Sequence, residues 1–351
     1  MMSLQMTKKP ENVVGAVVSD LDKNWVPGLA STESGDVASK VDDCKNALKN
    51  TRRYSSSYYS TNEIEIDDGF YRVIEESLIG GDDVTTELVY KMCVKHIDTI
   101  TYLGVVTKPD DWAINRAAEY GAEKSFKMLV ENGANVNAED KRNYGITPLH
   151  WVARNSGTLR GEYNPKKEYL NIADILFANN ANISAENDSG YTPLHSGAKT
   201  GAQDIVRSLI EKGANVNKIS KHGYTPLHMT GEFNKVDVAK LLIQNGAELE
   251  IKNDDGLTPL AFSAVCATKD VLKVLIDSGA NKNTQDNNGN TALHLIAKYR
   301  KGNRSYYADA VQFLVDNNID KNIKNNDGKT ACDLAKETEK TLLIPILGCE
   351  A

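Results

Sequence analysis

A four-residue string returns along this chain at a nearly fixed interval, and that period restricts the fold more than any other feature. Thr147-Pro148-Leu149-His150 recurs as Thr192-Pro193-Leu194-His195 and as Thr225-Pro226-Leu227-His228. It continues in altered form as Thr258-Pro259-Leu260-Ala261, Thr291-Ala292-Leu293-His294 and Thr330-Ala331-Cys332-Asp333. The steps between the threonines are 45, 33, 33, 33 and 39 residues. A glycine stands two residues before each threonine: Gly145, Gly190, Gly223, Gly256, Gly289 and Gly328. A second string keeps the same phase, in Asn132-Gly133-Ala134-Asn135-Val136-Asn137, Lys212-Gly213-Ala214-Asn215-Val216-Asn217, Asn245-Gly246-Ala247 and Ser278-Gly279-Ala280-Asn281. A period of this length marks tandem supersecondary modules, none of which can bury its apolar face alone.

Each module reads as two helices. Proline in the first helical turn has no N–H to leave unpaired and a preset φ, and the preceding threonine can cap the helix. Leu194 and Ala198 share one helix face, as do Leu227 and Gly231. The small residues let neighbouring hairpins approach closely. The second helix of the third module is expected over Asp204 to Lys212, with Ile205, Leu209 and Ile210 on its apolar side and Gly213 ending it in a left-handed cap.

These residues resemble the ankyrin repeat, whose 33-residue period and T-P-L-H-x-A core they match. The resemblance covers about 240 residues, from near Thr107 onward. Trp112-Ala113-Ile114-Asn115-Arg116-Ala117-Ala118 takes the slot of the first helix in an earlier, degenerate copy. It implies an all-α solenoid of about seven helix-turn-helix repeats with short hairpin turns. The two long steps carry insertions near residues 157–168 and 300–307, each between the two helices of its repeat. Equivalent junctions of a solenoid lie along one edge, so both inserted loops are expected on the same side.

Ahead of the array, residues 1–62 are polar and lack apolar periodicity, and disorder is expected there. Residues 63–105 are read as a helical N-terminal cap or decayed repeat, with a helix over Thr86 to His96, and residues 106–351 as the ankyrin-repeat domain. The Leu342-Leu343-Ile344 run with Pro345 is expected to close the other end.

The net charge of −7 argues against a general nucleic-acid binder. The five cysteines, Cys44, Cys93, Cys266, Cys332 and Cys349, are widely spaced and odd in number. A disulfide framework and structural zinc are therefore not expected, and a reducing compartment is. Neither a signal-peptide core nor a run of about 20 apolar residues occurs. The expected location is a cytoplasm, that of a host if the protein is an exported effector. The Asn- and Lys-rich composition points towards an AT-rich genome and so towards a bacterial, viral or parasite protein directed at host proteins.

Four of the six histidines, His150, His195, His228 and His294, share one repeat slot. The resemblance implies that they hydrogen-bond the turn and the neighbouring repeat. Their spacing is the repeat period, not that of metal ligands. Cys266 has no local histidine or orienting group to activate it. Acidic pairs such as Asp254-Asp255 have the composition of turns. No phosphate loop or nucleophile elbow occurs. No catalytic residue, metal or cofactor is expected.

The resemblance also implies a concave protein-binding surface made of hairpin tips and first-helix ends. It carries Tyr120, Tyr144, Tyr191, His222, Tyr224, Phe233, Leu257 and Tyr299. Either these side chains anchor a partner, as interface aromatics do, or they cover neighbouring turns. The inserted loops offer a second, basic surface: Arg160, Tyr163, Lys166 and Lys167 in one, Arg300, Lys301, Arg304, Tyr306 and Tyr307 in the other. Such loops either dock an acidic protein or anionic membrane or are simply solvated. Asn137 and Asn217, eight residues after Leu129 and Leu209, match the position at which ankyrin asparagines are hydroxylated.

The expected function is thus a monomeric scaffold or adaptor that binds one or more proteins and carries out no catalysis. Nucleic acid is not expected as a partner, and membrane contact only through the basic loops. The alternative is an enzyme or ubiquitin-ligase-type adaptor whose active part lies in residues 1–105, with the repeats as its targeting arm.

Overall fold

The computed structural model describes residues 63–65, 99–102, 105–107, 109–157, 166–299 and 305–349. Two units emerge. The first comprises Met1–Pro148 with Lys167–Ala181, the second Leu149–Lys166 with Asn182–Ala351.

In the first unit the described residues between 63 and 107 are strands. β1 (Glu63–Glu65) pairs in parallel with β2 (Thr99–Tyr102), and β2 pairs antiparallel with β3 (Val105–Thr107). The sequence reading expected a helical cap here. The β-branched and aromatic runs Thr99-Ile100-Thr101-Tyr102 and Val105-Val106-Thr107 favour extended backbone instead. The helix expected over Thr86 to His96 and the polar segment 1–62 lie outside the described residues.

Helices α1 (Pro109–Tyr120) and α2 (Glu123–Glu131) follow, then a 3-10 turn at Lys141–Asn143. The degenerate first repeat has Asn115 where later repeats have histidine, and its Nδ2 donates to the Ala138 carbonyl at 2.9 Å. Arg116 ion-pairs with Asp140 and Glu119, all within this unit. α4 (Lys166–Ala178), apart from its first residue, also belongs here. Tyr169 donates to the Glu119 carbonyl at 2.7 Å, and Asn171 to the Glu123 carboxylate at 2.7 Å.

The second unit is a stack of hairpins. Its inner helices are α3 (Pro148–Asn155, from Leu149), α5 (Pro193–Thr200), α7 (Pro226–Glu232), α9 (Pro259–Cys266), α11 (Ala292–Tyr299) and α13 (Ala331–Glu337). The outer row is α6 (Gln203–Glu211), α8 (Val236–Gln244), α10 (Lys269–Asp277) and α12 (Ser305–Asp316). From α5 and α6 onward, each inner helix packs on the next inner helix and each outer helix on the next outer one. Ile205, Val206 and Leu209 of α6 are buried, as are Val271, Leu272 and Leu275 of α10. The short α14 (Leu343–Leu347) buries Leu343 and Leu347 and packs on α12 and α13, closing this end as the apolar run implied.

Three ties repeat from hairpin to hairpin. The first is at the tips, where the Lys221 N–H donates to the Ser189 carbonyl, Asp254 to His222, Asn287 to Asp255 and Asn326 to Asn288, at 3.0–3.2 Å. This close approach needs glycine. Gly223 has φ +76°, and a Cβ there would lie 2.7 Å from Asn253 Cα. The second tie is the buried inner row. Gly231 meets Ser263 so closely that an added Cβ would sit 2.2 Å from Ser263 Oγ.

The third tie is histidine. The Thr192, Thr225 and Thr291 N–H groups lie 3.1–3.2 Å from Nδ1 of His195, His228 and His294. A backbone N–H can only donate, so Nδ1 is the acceptor and Nε2 carries the proton. Nε2 then donates across to the next repeat. His150 reaches the Tyr191 carbonyl at 2.9 Å, His195 that of Tyr224 at 3.0 Å, His228 that of Leu257 at 2.9 Å and His294 that of Lys329 at 3.0 Å. In the last repeat Asp333 makes the local half of this contact, accepting from the Thr330 N–H and Oγ1, both at 2.8 Å.

Wide sequence spacing did not foretell one pairing. α14 folds back so that Cys349 reaches Cys332 of α13 with their Cα atoms 5.7 Å apart, and the two form a disulfide. The expectation of no disulfide framework did not foresee this single bridge. Chain separation does not limit a pair that two packed helices bring together.

Two predictions follow from these ties. Ser263 Oγ is held by donating to the Pro259 carbonyl at 2.8 Å. Gly231→Ala should therefore destabilise the protein by about 1–3 kcal/mol through overpacking, partly offset by about 1 kcal/mol of helix propensity. Adding Ser263→Ala should recover most of the loss in urea unfolding. The second concerns acid. Burial holds His150, His195 and His228 at about 4, below their ordinary 6.5, and lowers His294 as well. The unfolded chain binds these protons first, so the histidine contribution is complete above pH 6.5 and is lost as the pH falls towards 4. The unfolding free energy should fall across that window by up to about 1.4 kcal/mol per pH unit for each of His150, His195 and His228. A flat profile between pH 6.5 and 5 would contradict the assignment.

Candidate protein-binding face

Inner-helix ends and hairpin legs of the second unit come together on one face. Tyr191 and Tyr224 are the residues just before their capping threonines, and each packs its ring on the histidine of its own repeat, at 5.3 and 5.7 Å. Phe262, four residues after Thr258, meets the Tyr224 ring edge-on at 5.3 Å. Beneath it, Leu257, Ala261 and Leu295 form a buried cluster that the half-buried Phe262 and Val265 cover. The result is a partly exposed apolar and aromatic surface on repeats 3 to 6.

Local sequence explains where this surface lies. The fifth repeat has Ala261 in the histidine slot. Without an imidazole, Ala261 packs against Leu257 and Leu295 in an apolar floor. Hydroxyl groups border it. Burial first, then Tyr224 and Glu232, push the Tyr191 hydroxyl above its usual range. Burial, with Asp255 and Glu232 nearby, does the same to Tyr224. Both phenols are therefore neutral hydrogen-bonding groups at neutral pH. At the C-terminal end of α7, Phe233, 48% exposed, carries the Lys199 ammonium 5.1 Å from its ring centre.

The expected site residues divide as follows. Tyr191 and Tyr224 lie on this face, and Phe233 is exposed at the end of α7. His222 is exposed on a hairpin tip, with Nδ1 3.8 Å from Asp254. Leu257 is corrected: it is only 9% exposed, because its side chain turns under Phe262 into the apolar floor. Tyr120, half-buried, and Tyr144 belong to the first unit. Tyr144 is 72% exposed at φ +58°, a left-handed conformation that costs a non-glycine residue about 1 kcal/mol. The side chain of Tyr299 lies outside the described residues.

The basic surface is altered more. Lys166 and Lys167 are exposed in the first turn of α4, not in a loop, and Lys166 pairs with Asp204 at 2.6 Å. Tyr307 is buried within α12, whose apolar face extends the helix back into the inserted segment. Arg160, Tyr163, Arg300, Lys301, Arg304 and the side chain of Tyr306 lie outside the described residues. Asn217 uses its whole amide in the fold. Oδ1 accepts from the Glu248 N–H at 2.8 Å, and Nδ2 donates to the Gly246 carbonyl at 3.0 Å. Asn137 is half-buried, and its N–H donates to Asn135 Oδ1 at 3.0 Å.

Phe262, Val265 and Leu295 were missed in the sequence, although they fall four or seven residues after their threonines, in phase with the repeat. Among the described residues, no group of three or more His, Cys, Asp or Glu side chains could hold a metal ion, and no helix is long and apolar enough to cross a membrane.

Comparison with known proteins agrees with this architecture. The family profile for ankyrin repeats (3 copies) matches residues 114–219, 162–253, 231–325 and 261–343. The B-cell lymphoma 3 protein homolog of Mus musculus is 31% identical over 99 residues, 28% of this chain and 19% of that protein. The tyrosine-protein kinase Shark of Drosophila melanogaster is 30% identical over 99 residues, 28% of this chain and 9% of that protein. The chain thus spans less than a fifth of the length of either relative. Together with the period and the stacked two-helix hairpins, the profile match across residues 114–343 establishes that this chain belongs to the ankyrin-repeat family and carries its protein–protein interaction module.

Proposed function

We propose that this protein is a scaffold or adaptor that holds a partner protein on the inner-helix face of repeats 3 to 6 and performs no chemistry on it. The observation that carries this reading is the Tyr224–Phe262 pair standing half-exposed over the Leu257, Ala261 and Leu295 floor. Aromatic side chains over an apolar base supply the large, rigid contact area on which interface energy concentrates. The hairpins behind them are fixed by backbone ties and buried histidines, so little ordering is needed on binding, which favours affinity.

The test is affinity capture from the native cell with the full chain and with Tyr224→Ala/Phe262→Ala. Both rings are partly exposed, so the variant should keep its unfolding midpoint to within a few degrees. Specific partners should be lost by at least about tenfold, the equivalent of a hot-spot pair. Undiminished capture of every specific partner would contradict the assignment of this face.

A further inference from the structure

The last repeat departs from its predecessors at one core position. Leu149, Leu194, Leu227, Leu260 and Leu293 stand two residues after their threonines, and all are buried. The last repeat has Cys332 there, half-buried and bonded to Cys349 just beyond α14. Asp333 occupies its histidine slot, and that carboxylate accepts from Thr330 of its own repeat. α14 is five residues long, too short to persist as an isolated helix. The backbone bonds at its ends are local: Leu343 and Ile344 donate to the Lys340 carbonyl, Gly348 to that of Pro345 and Cys349 to that of Ile344. Against α12 and α13 it is held by two buried leucines, Leu343 and Leu347, and by the bridge.

We propose that the Cys332–Cys349 bridge is a redox latch: oxidised, it holds α14 over the end of the stack, and reduced, it lets α14 detach and uncover the apolar surfaces of α12 and α13. The bridge joins residues 17 apart, so a detached α14 in the oxidised protein stays tethered at both ends. Opening the bridge restores the chain entropy of that loop, and two leucines alone must then outweigh it. Both cysteines are half-exposed, so a small thiol reaches the sulfurs. The reductant is a dithiol. One of its thiolates attacks a bridge sulfur and the S–S bond breaks; its second thiol then displaces the mixed disulfide. Cys332 and Cys349 end as two thiols, having taken up two electrons and two protons, and the dithiol ends as its own disulfide. The ties earlier in the stack, such as the His228 and His294 bridges, contain no cysteine, so the change is confined to this end. The latch is independent of the proposed partner-binding face.

The experiment is amide hydrogen exchange of the full chain, read by mass spectrometry, before and after reduction with dithiothreitol. Peptide mapping without reductant should first find Cys332 and Cys349 linked. On reduction, the amides of residues 346–349 should exchange about a hundredfold faster, while those of α7 to α10 keep their rates. Cys349→Ser lies next to the end of the chain, outside every helix, and should show the fast exchange without reductant and no response to it. That variant separates the latch from any action of the reductant on other cysteines. Equal exchange of residues 346–349 in the oxidised and reduced protein would overturn the proposal. So would Cys332 and Cys349 recovered as free thiols from the oxidised protein, or a loss of protection that spreads through the whole stack.

Discussion

The buried imidazole bridge on which the stack depends joins one repeat to the next. His195, His228 and His294 each accept from their own threonine N–H and donate to a carbonyl at the start of the following repeat. Each can do so only as the neutral Nε2–H tautomer, because the same ring must accept on one side and donate on the other. Burial enforces this state by disfavouring the charged ring. A single bond of this kind is worth only about 1 kcal/mol. Its importance lies in repetition and in position, since it joins a hairpin leg to the next one, as His228 joins the repeats in which Gly231 meets Ser263. Stability in such a stack is shared between neighbours, not contained in any one repeat.

The candidate face is where that pattern lapses. Ala261 cannot bridge to the next repeat, and Leu257, Ala261 and Leu295 close the space with apolar contacts. Phe262 and Val265 then have an apolar base, and Tyr224 an aromatic edge to lean on. A site built by dropping one polar tie from a periodic scaffold is held on both sides by repeats that keep theirs. His228 donates to the Leu257 carbonyl on one side, and His294 to that of Lys329 on the other. Local variation in surface residues on a fixed frame is how one fold serves many partners.

Much of this was legible in the sequence because the interactions are periodic. Any residue whose role is repeated, such as the threonine, the slot histidine or the turn glycine, announces itself by recurrence. Tyr191 and Tyr224 were found in that way. Features that occur once were not. Leu257 shares the slot of Tyr191 and Tyr224, yet it turns inward because its neighbour Ala261 leaves room, a fact of packing that no single position reveals. The Arg116–Asp140 pair and the Cys332–Cys349 bridge join residues that no pattern links. The strands near residues 63–107 are three or four residues long, too short for alternation to show, and β1 finds its partner more than thirty residues away.

The most direct test of the account is the protonation state of the slot histidines in the folded protein. A long-range ¹H–¹⁵N spectrum of the imidazoles, followed from neutral pH downward, reports tautomer and charge together. The account predicts that His150, His195 and His228 are Nε2–H tautomers at neutral pH and stay uncharged until the pH approaches about 4. Imidazoles that titrate near 6.5 in the folded chain, or that carry their proton on Nδ1, would contradict it.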